Sequence, residues 1–444
     1  MHLAALSVKV RLRMNTMLAR RLGMGLIWMS GLGLVGFVLW AWRSALDPIN
    51  PPAASSFPPS TIRRGAELAA LGACATCHTG QGGATFAGGL PISTPFGTVY
   101  STNITPDPTT GIGRWSQAAF QRAMRDGVDR EGRHLYPAFP YDHFTLVSDA
   151  DDAALYAYLM TREPVTARPP DNHLPFPLNL RFLLAGWKLV FFRAGPYRPD
   201  ARHDEQWNRG AYLASGLGHC GACHTPRNSF GAEISGRGFD GGTAAGWYAY
   251  AINSNSESRV RWNAESLHAF LRNGWHAQHG NAQGPMADVV RDLSSVPDPD
   301  ILALATYTAW TMRAAARGQQ ADSAASGDAE TRNNIESNAV GAAIYAGACA
   351  DCHDGARALP YGGIKLPLST AVTAKSATNL INLVLDGLHP PAGSAGAIMP
   401  GFASALTDGQ LESLLAFIRS NFGAMPPWTG VESSVREARS RDRD

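Results

Sequence analysis

The chain has 444 residues, with 38 Lys and Arg against 36 Asp and Glu and a formal net charge of +2. This balance excludes a polybasic surface for nucleic acid and an acidic tail, and 45% hydrophobic residues exclude wholesale disorder. The six cysteines fall into three pairs of identical spacing, unlike the disulfide framework of a small secreted domain. At roughly 100–200 residues per domain, the length predicts about two to four domains.

The N-terminal region has the pattern of a membrane anchor. Residues 22–42 carry no charged side chain, and about 20 apolar residues are enough for a helix to cross the hydrocarbon core. A basic cluster precedes this stretch, so the positive-inside rule keeps the N-terminus cytoplasmic and exports the remainder. No small-x-small site directly follows residue 42, and the sequence therefore predicts an uncleaved anchor rather than a cleaved signal peptide. The basic residues are Lys9, Arg11, Arg13, Arg20 and Arg21.

The exported region contains one pattern three times. In each repeat, a run of small and apolar residues leads into a Cys-x-x-Cys-His motif, at 74–78, 220–224 and 349–353. Each repeat closes with apolar residues at three- and four-residue intervals, which is typical of a helix. Because strand signals are sparse, the sequence predicts an all-α fold of three small domains in tandem behind one N-terminal transmembrane helix. The predicted segments are the basic flank and anchor at 1–46, the first domain at 60–165, a connector at 166–205, the second domain at 206–312, a flexible linker at 313–334, the third domain at 335–424 and a mobile tail at 425–444.

All six cysteines belong to these three motifs. In Cys-x-x-Cys-His, both thiols form thioethers with a haem and the histidine ligates its iron from the proximal side. A zinc site would need further Cys or His ligands in each repeat, and a redox dithiol would need a βαβ context. Neither pattern is found, so the sequence predicts three covalently bound haem c groups. The predicted attachment residues are Cys74, Cys77, Cys220, Cys223, Cys349 and Cys352, and the proximal iron ligands are His78, His224 and His353.

The second and third repeats each offer a methionine as the distal iron ligand. Met399 lies shortly before the closing helix of the third repeat, and Met286 lies at a similar interval in the second. A thioether ligand raises the potential of a haem iron relative to a second histidine. The alternative for either methionine is a gap-filling role in the core.

The first repeat breaks this pattern because Phe139 stands where the methionine is expected. His143, four residues later, is predicted as the distal ligand of the first haem, since an imidazole in the same loop is the simplest replacement. Met124 or Met160 could serve instead, or the iron could be open. A bis-histidine haem would have the lowest potential of the three, which would make the first repeat the point of electron entry.

Several segments resemble the multihaem cytochrome c subunits of bacterial membrane-bound periplasmic dehydrogenases. The resemblance covers roughly residues 60–424. It implies class I cytochrome c domains held in the periplasm by an inner-membrane anchor, with electron transfer from a catalytic subunit to ubiquinone, a terminal oxidase or another cytochrome. The segments are Phe-Ala-Gly-Gly at 86–89, Pro-Phe-Gly-Thr-Val-Tyr-Ser-Thr-Asn-Ile-Thr-Pro-Asp at 95–107, Gly-Ile-Gly at 111–113, Leu-Tyr-Pro-Ala at 135–138 and Gly-His-Cys-Gly-Ala-Cys-His-Thr-Pro-Arg-Asn at 218–228.

The resemblance also implies a catalytic partner of one of three kinds. Subunits of this family occur with quinoprotein alcohol dehydrogenases, with flavin-dependent sugar or gluconate dehydrogenases, and with molybdenum hydroxylases that act on aldehydes or nicotinate. The alcohol and gluconate branch usually has Tyr-Pro-Ala-Met-Pro-Tyr in the first repeat, and Phe139 replaces that methionine here. The chain therefore looks closer to the molybdenum-hydroxylase branch, whose complexes can include a small iron–sulfur subunit.

The loop at 100–114 is a candidate cover for the edge of the first haem. Tyr100, Asn103 and Arg114 are predicted partners of the haem edge or its propionates, because covering the edge sets its dielectric surroundings and potential. The alternative is a turn stabilised by Pro and Gly that does not touch the haem.

No other part of the sequence resembles a catalytic constellation. It has no Gly-rich dinucleotide turn, no nucleophile elbow and no carboxylate pair of distinctive spacing. We therefore predict a non-catalytic electron-transfer subunit whose cofactors perform the redox step. The alternatives are a multihaem peroxidase or reductase that acts at an open first haem, and a mainly architectural tether. No nucleic-acid partner is expected.

Overall fold

The structure, a computed structural model, describes residues 29, 31–33, 35–313, 338–355, 363–389 and 397–441. Apart from residue 313, the predicted flexible linker lies outside the described residues. Of the predicted anchor, residues 22–28, 30 and 34 also lie outside them.

The first unit begins with a helix whose first residue is proline, a position where the missing amide proton costs nothing. Two later helices begin at serine caps: Ser116 accepts from the Ala119 amide and Ser148 from the Asp151 amide. A glycine with φ of 58°, Gly127, ends the first of these two helices. The elements are α1 (Pro59–Leu71), α2 (Cys74–His78), β1 (Pro91–Thr94), β2 (Gly97–Tyr100), α3 (Gln117–Asp126), α4 (Tyr141–Phe144) and α5 (Asp149–Met160).

A connector and the second unit follow. Asp204 caps the first long helix of this unit, and Asn263 with Ser266 forms a capping box at another. The connector contains α6 (Leu183–Phe191). The second unit contains α7 (Glu205–Ser215), α8 (Cys220–His224), β3 (Gly242–Ala244), β4 (Trp247–Ala249), α9 (Ala264–Asn273), β5 (Trp275–His276), β6 (Gly280–Asn281), α10 (Pro285–Leu293) and α11 (Asp298–Arg313).

The third unit extends beyond its predicted end. Residues 425–444 were expected to form a mobile tail, but the final helix packs on the unit through Val435 and Ala438, which are both buried. Arg439 of this helix also pairs with Asp408. The elements are α12 (Ala339–Ala348), α13 (Ala350–His353), a 3₁₀ turn (Leu366–Leu368), α14 (Thr370–Thr373), α15 (Thr378–Asp386), α16 (Asp408–Gly423) and α17 (Val431–Ser440).

The first and last long helices cross closely in every unit, with a glycine at the crossing point. A Cβ atom added to the glycine would overlap a carbonyl oxygen of the closing helix, and it would lie 2.6–2.8 Å from the Cβ of an aromatic residue one turn later. Glycine is therefore required sterically at all three crossings. The contacts are Gly65 with Ala154 and Tyr158, Gly210 with Ala303 and Tyr307, and Gly341 with Ser413 and Phe417.

The first two units share one hydrophobic core. Leu68 and Leu155 of the first unit belong to the same buried cluster as Leu213 and Ile301 of the second. The third unit has a cluster of its own, centred on α15 and α16. The prediction of three separate domains in tandem is wrong in this respect, because packing joins the first two units into one body.

The prediction of an all-α fold is also wrong. The described residues contain three two-stranded antiparallel sheets, β1–β2, β3–β4 and β5–β6. In the first, Ile92 faces Val99 across the ladder, and Gly97 at the turn has a φ of 123°. Each strand is only two to four residues long. Runs this short carry little periodicity for a sequence pattern to register.

The predicted membrane anchor and inner-membrane localisation are contradicted. Among the described residues, no helix has the length and apolar character needed to cross a membrane. The described N-terminal helix ends at residue 41, after which the chain runs extended along the first unit. There the Leu46 amide donates to the Arg130 carbonyl and the Ile49 amide to the Arg114 carbonyl.

Candidate haem centres

The first two Cys-x-x-Cys-His motifs each form a short helix after a sharp change of chain direction. Ala73 and His219, directly before the first two motifs, have left-handed backbones with φ of 48° and 35°. In the third motif Cys349 precedes the helical turn α13. The two cysteines of a motif are three residues apart, so one turn of helix brings both thiols to the same face.

The first cysteine of each of the first two motifs is in surroundings that disfavour a thiolate. Burial raises the pKa of Cys74 and of Cys220 to about 12. Zinc is bound by thiolates, and a reactive dithiol also needs them. Among the described residues, the one group of acidic, His or Cys side chains close enough to hold a metal ion is Asp142, His143 and Glu233, which contains no cysteine. The thiol pairs therefore fit thioether formation and fit poorly with zinc.

The histidine of each motif is oriented by a backbone carbonyl. In all three units its Nδ1 donates a hydrogen bond to the main chain of a following loop, so the neutral ring keeps its lone pair on Nε2. Burial lowers the pKa of His78 and His224, which favours this neutral form. A fixed, neutral Nε2 is what iron ligation requires. The bonds join His78 to Thr102 at 2.7 Å, His224 to Tyr250 at 2.7 Å and His353 to Ile364 at 2.8 Å.

The structure places Phe139 and Met286 at equivalent positions. The Leu135 amide donates to Gly127 in the first unit, and the Ala282 amide donates to Gly274 in the second, both at 2.7 Å. Phe139 and Met286 each follow the donor by four residues. The sequence pattern aligns Phe139 with Met286, and the hydrogen bonds of the two folded segments give the same alignment.

Met399 is held in the third unit by a short antiparallel bridge. Its amide donates to the Leu388 carbonyl at 3.0 Å, and its carbonyl accepts from the Leu388 amide at 2.8 Å. The side chain packs half-buried against the core of this unit. Phe139 packs similarly against the shared core of the first two units, with its ring centroid 5.1 Å from that of Phe144.

His143 is bound at both ring nitrogens to the second unit. Its Nδ1 donates to the Ser215 carbonyl at 2.7 Å, and its Nε2 donates to the Glu233 carboxylate at 2.8 Å. Burial by itself lowers the pKa of His143, but the bond to Glu233 and the charge of Asp142 outweigh it and raise the pKa above its ordinary value. A nitrogen of His143 reaches an iron only if one of these bonds breaks.

The three residues predicted at the first haem edge have different surroundings. Asn103 is buried, and its amide is bonded within the protein: Nδ2 donates to Thr110 and Val165, and Oδ1 accepts from Thr105. Its polar atoms therefore fold the loop. Tyr100 is half-buried at the end of β2, and its ring packs edge-on to His173. Arg114 is exposed.

Sequence reasoning missed the carbonyls that orient the proximal histidines. Thr102, Tyr250 and Ile364 act through their main chains, so their side chains gave no signal. It also missed the glycines at the helix crossings. Their signal was present, since Arg-Gly-Ala at 64–66 recurs at 209–211.

Comparisons with known proteins show the family to which this chain belongs. Residues 62–163 match the family described as Cytochrome c. The fructose dehydrogenase cytochrome subunit of Gluconobacter japonicus is 37% identical over 401 residues, covering 85% of this chain and 82% of the relative. This chain belongs to the cytochrome c subunits of dehydrogenases. The resemblance inferred from the sequence motifs is therefore confirmed.

Two further comparisons describe this cytochrome subunit. The gluconate 2-dehydrogenase cytochrome c subunit of Pantoea cypripedii is 41% identical over 384 residues, covering 82% of this chain and 86% of the relative. A nicotinate dehydrogenase subunit of Pseudomonas putida is 43% identical over 415 residues, covering 93% of this chain but 34% of the relative. The chain thus spans about a third of the length of that relative.

Membership of this family makes the cytochrome subunit an electron-transfer protein that carries covalently bound haem c and serves a catalytic dehydrogenase. Residues 336–418 match a second family, described as Cytochrome C oxidase, cbb3-type, subunit III. The two family matches lie in the first and third units. They support two cytochrome c domains, and the fold prediction of three is corrected accordingly.

Haem c supplies one-electron redox chemistry when it is bound. The residues present would fit such a group: each motif would offer two thiols for attachment and an imidazole whose Nδ1 is held by a main-chain carbonyl. Met286, in the first turn of α10, and Met399, in the bridge with Leu388, would each offer a thioether sulfur.

Proposed function

We propose that this chain is a tri-haem electron-transfer subunit that accepts electrons from the catalytic subunit of a dehydrogenase. It passes them to a quinone, a terminal oxidase or another cytochrome. The observation that carries the proposal is the threefold recurrence of one local geometry. A paired thiol motif is followed each time by a histidine whose Nδ1 donates to a main-chain carbonyl at 2.7–2.8 Å.

Each unit would hold one haem through its own residues. Cys74 and Cys77 with His78 would hold the first. Met286 would complete the second iron from the distal side and Met399 the third. The remaining attachment residues would be Cys220, Cys223 and His224 for the second haem, and Cys349, Cys352 and His353 for the third.

The catalytic partner we propose is a molybdenum hydroxylase that oxidises nicotinate or an aldehyde, acting with a small iron–sulfur subunit. Two observations support this class. The relative with 43% identity is a nicotinate dehydrogenase subunit, and Phe139 replaces the methionine usual in the alcohol and gluconate branch. To test this choice, each class of partner is mixed with the cytochrome subunit and its substrate, and haem reduction is followed.

Haem stoichiometry tests the three-centre proposal. Intact mass and haem content are measured for the wild-type chain and for variants with both cysteines of one motif replaced by alanine. We expect three haems in the wild type and two in each variant. A wild-type chain with two haems, or a Cys220→Ala/Cys223→Ala variant that loses none, would contradict it.

Electron transfer is tested with the reconstituted complex. The partner's substrate is added, and reduction of the cytochrome subunit and then of the acceptor is followed by absorbance. Cys349→Ala/Cys352→Ala is expected to leave assembly intact while slowing reduction of the acceptor. Unchanged acceptor reduction would support an architectural role instead.

A second candidate is a peroxidase or reductase that acts at the first centre. It is favoured by two observations: Phe139 stands at the position of Met286, and both nitrogens of His143 already have partners. This function predicts high-spin iron in the resting protein and consumption of peroxide. Low-spin spectra for all centres together with unchanged peroxide would exclude it.

A further inference from the structure

The side chain of His143 lies against the haem-attachment helix of the second unit, although it belongs to the first. A Cβ atom added to Gly221, in the Cys-Gly-Ala-Cys-His motif, would lie 2.9 Å from Cε1 of His143 and 3.4 Å from Oε1 of Glu233. The motif residue equivalent to Gly221 is alanine in the other two units. The glycine therefore makes room for the imidazole and its carboxylate partner.

Both ring nitrogens of His143 act as donors. One faces the Ser215 carbonyl and the other the Glu233 carboxylate, and neither of these oxygens can donate in return. A neutral imidazole has a single N–H, so this arrangement holds the cationic ring. Asp142 and Arg227 complete the charged group, with an Arg227 nitrogen 4.0 Å from Glu233.

The reverse contact exists as well. Asp292, on α10 of the second unit, accepts a hydrogen bond from the Thr76 hydroxyl within the attachment helix of the first unit. Arg291 lies beside it, with Nε 3.6 Å from the Asp292 carboxylate and Nη2 3.5 Å from the Thr76 hydroxyl.

His143 and Asp292 both lie shortly before the closing helix of their repeat. His143 is five residues before Ser148, the cap of α5, and Asp292 is five residues before Pro297, which directly precedes α11. Both contacts therefore run from the segment before the closing helix of one unit to the attachment helix of the other.

Four charged residues hold the units in this arrangement. Arg209 makes a bidentate pair with Asp300 at 2.8 and 2.9 Å. Its counterpart Arg64 pairs with Asp151 of its own unit at 3.4 Å and reaches across to Asp300 of the second unit at 3.2 Å. The two attachment helices are thus fixed relative to the loop of the opposite unit.

We propose that each of the first two units completes the haem centre of the other: His143 is a positioning residue of the second centre, and Asp292 of the first. This inference rests on the proposed function, since it requires a haem at both motifs. The cationic His143 offsets the half-buried Glu233 carboxylate next to the second centre, while Asp292 brings a negative charge to the first. Nearby positive charge favours the reduced, less positive iron, and negative charge favours the oxidised iron.

The test is EPR-monitored redox titration of the haem-loaded full-length chain. Signals are assigned beforehand with the Cys74→Ala/Cys77→Ala and Cys220→Ala/Cys223→Ala variants. We expect His143→Gln to lower the midpoint potential of the second centre, because Glu233 loses its cation. We expect Asp292→Asn to raise that of the first. Each variant should leave the opposite potential in place.

Two further variants guard against misfolding and nonspecific charge effects. Glu233→Gln removes the carboxylate instead of the cation and is expected to raise the potential of the second centre, the opposite sign to His143→Gln. Glu265→Gln, an exposed carboxylate of the second unit, is expected to move neither potential.

Three outcomes would overturn the inference. If His143→Gln changes the signal of the first centre and leaves the second unchanged, His143 serves its own unit. If haem content is normal and neither potential moves, the contacts between units do not act on the centres, while the proposed function stands. A wild-type chain without haem at Cys220 and Cys223 would overturn the proposed function and this inference together.

Discussion

Single residues decide which atoms of each centre are available for ligation. The imidazole of each motif could present either nitrogen, and a main-chain carbonyl selects Nε2 by binding Nδ1. On the distal side, the equivalent loop position holds a thioether in Met286 and a phenyl ring in Phe139. A phenyl ring cannot ligate iron, so this one difference in residue type gives the first centre a different distal side from the second.

Phe139→Met is expected to give the first centre the ligation of the second. The loop already places residue 139 at the Met286 position, and methionine is flexible enough to fill the same volume. EPR and absorbance spectra of the haem-loaded variant should gain a third low-spin His/Met signal, beside those expected of the second and third centres. Met286→Phe is the matched control and should lose one of the two signals present in the wild type. No change at the first centre in Phe139→Met would mean that another residue ligates its iron.

Lys188 is an ammonium group buried in the connector. Its Nζ donates to the carbonyls of Asp126 and Gly127 at 2.6 and 2.7 Å and to Nδ1 of His134 at 3.1 Å. Lys188→Met would leave these acceptors without a partner. We expect a loss of about 1–3 kcal/mol in the free energy of unfolding, measured by thermal or denaturant melts. Lys365→Met, in the third unit, is the control and should change little.

The contribution of Lys188 to the free energy of unfolding should increase with pH. Burial lowers the pKa of Lys188 to about 7, from 10.5 when the side chain is free in solution. Between these values the unfolded chain binds the proton and the folded chain does not, so the free energy of unfolding rises with pH. Below about pH 7 both states are charged and the dependence vanishes. The slope approaches about 1.4 kcal/mol per pH unit.

Melting curves from pH 6 to 10 check this sign. The difference in stability between the wild type and Lys188→Met should grow in favour of the wild type as the pH rises above about 7. A difference that shrinks with pH would mean that the folded protein retains the proton more tightly than the unfolded chain.

Pairs of elements define each unit through one close crossing. α1 packs on α5, α7 on α11 and α12 on α16, each time with a glycine against a carbonyl of the partner helix. This contact brings the motif turn, directly after the first helix, next to the loop that precedes the closing helix. The predicted proximal and distal ligands of one centre come from these two segments.

Two glycines of α12 provide a matched pair for testing the crossing. Alanine at Gly341 would overlap the Ser413 carbonyl, whereas alanine at Gly347 would meet nothing within 4 Å. We expect Gly341→Ala to cost about 1–3 kcal/mol through overpacking. Gly347→Ala should stabilise by about 0.5–1 kcal/mol through helix propensity. Thermal melts of both variants check this, and equal effects would show that the crossing is not tight.

At the scale of the whole molecule, the described units form two bodies, each with its own hydrophobic core. The first and second units share one buried cluster and the charged residues Arg64, Asp151, Arg209 and Asp300. The third unit has its own cluster and meets the second through polar contacts such as Asn379 with the main chain of Tyr248. We therefore expect the first two units to unfold together in one cooperative transition and the third unit to unfold separately.

Calorimetry of the full chain should therefore show two unfolding transitions. Arg209→Met leaves the half-buried Asp300 without its bidentate partner and should lower the transition of the joined units only. Arg419→Met should lower only the transition of the third unit, where Arg419 donates to the carbonyls of Val372 and Ala374 at 2.8 Å. Three separate transitions, or a shift of both by one variant, would contradict the shared core.

The sequence by itself was enough to predict the covalent chemistry of this protein. A Cys-x-x-Cys-His motif is complete within five residues, so its spacing alone predicts the attachment residues and the proximal histidines at 78, 224 and 353. The register of Phe139 with Met286 was also readable, because both lie at a fixed interval within a repeated loop. Such features are local along the chain, and no tertiary contact is needed to define them.

Only the tertiary structure decided how these local features combine. The partner of His143 is Glu233, 90 residues away, and the carbonyl that binds His78 is 24 residues away. The joining of the first two units depends on side chains that meet across a shared core. Long-range packing of this kind leaves no periodic trace in the sequence, because an apolar residue pattern shows that a face is buried and not what covers it.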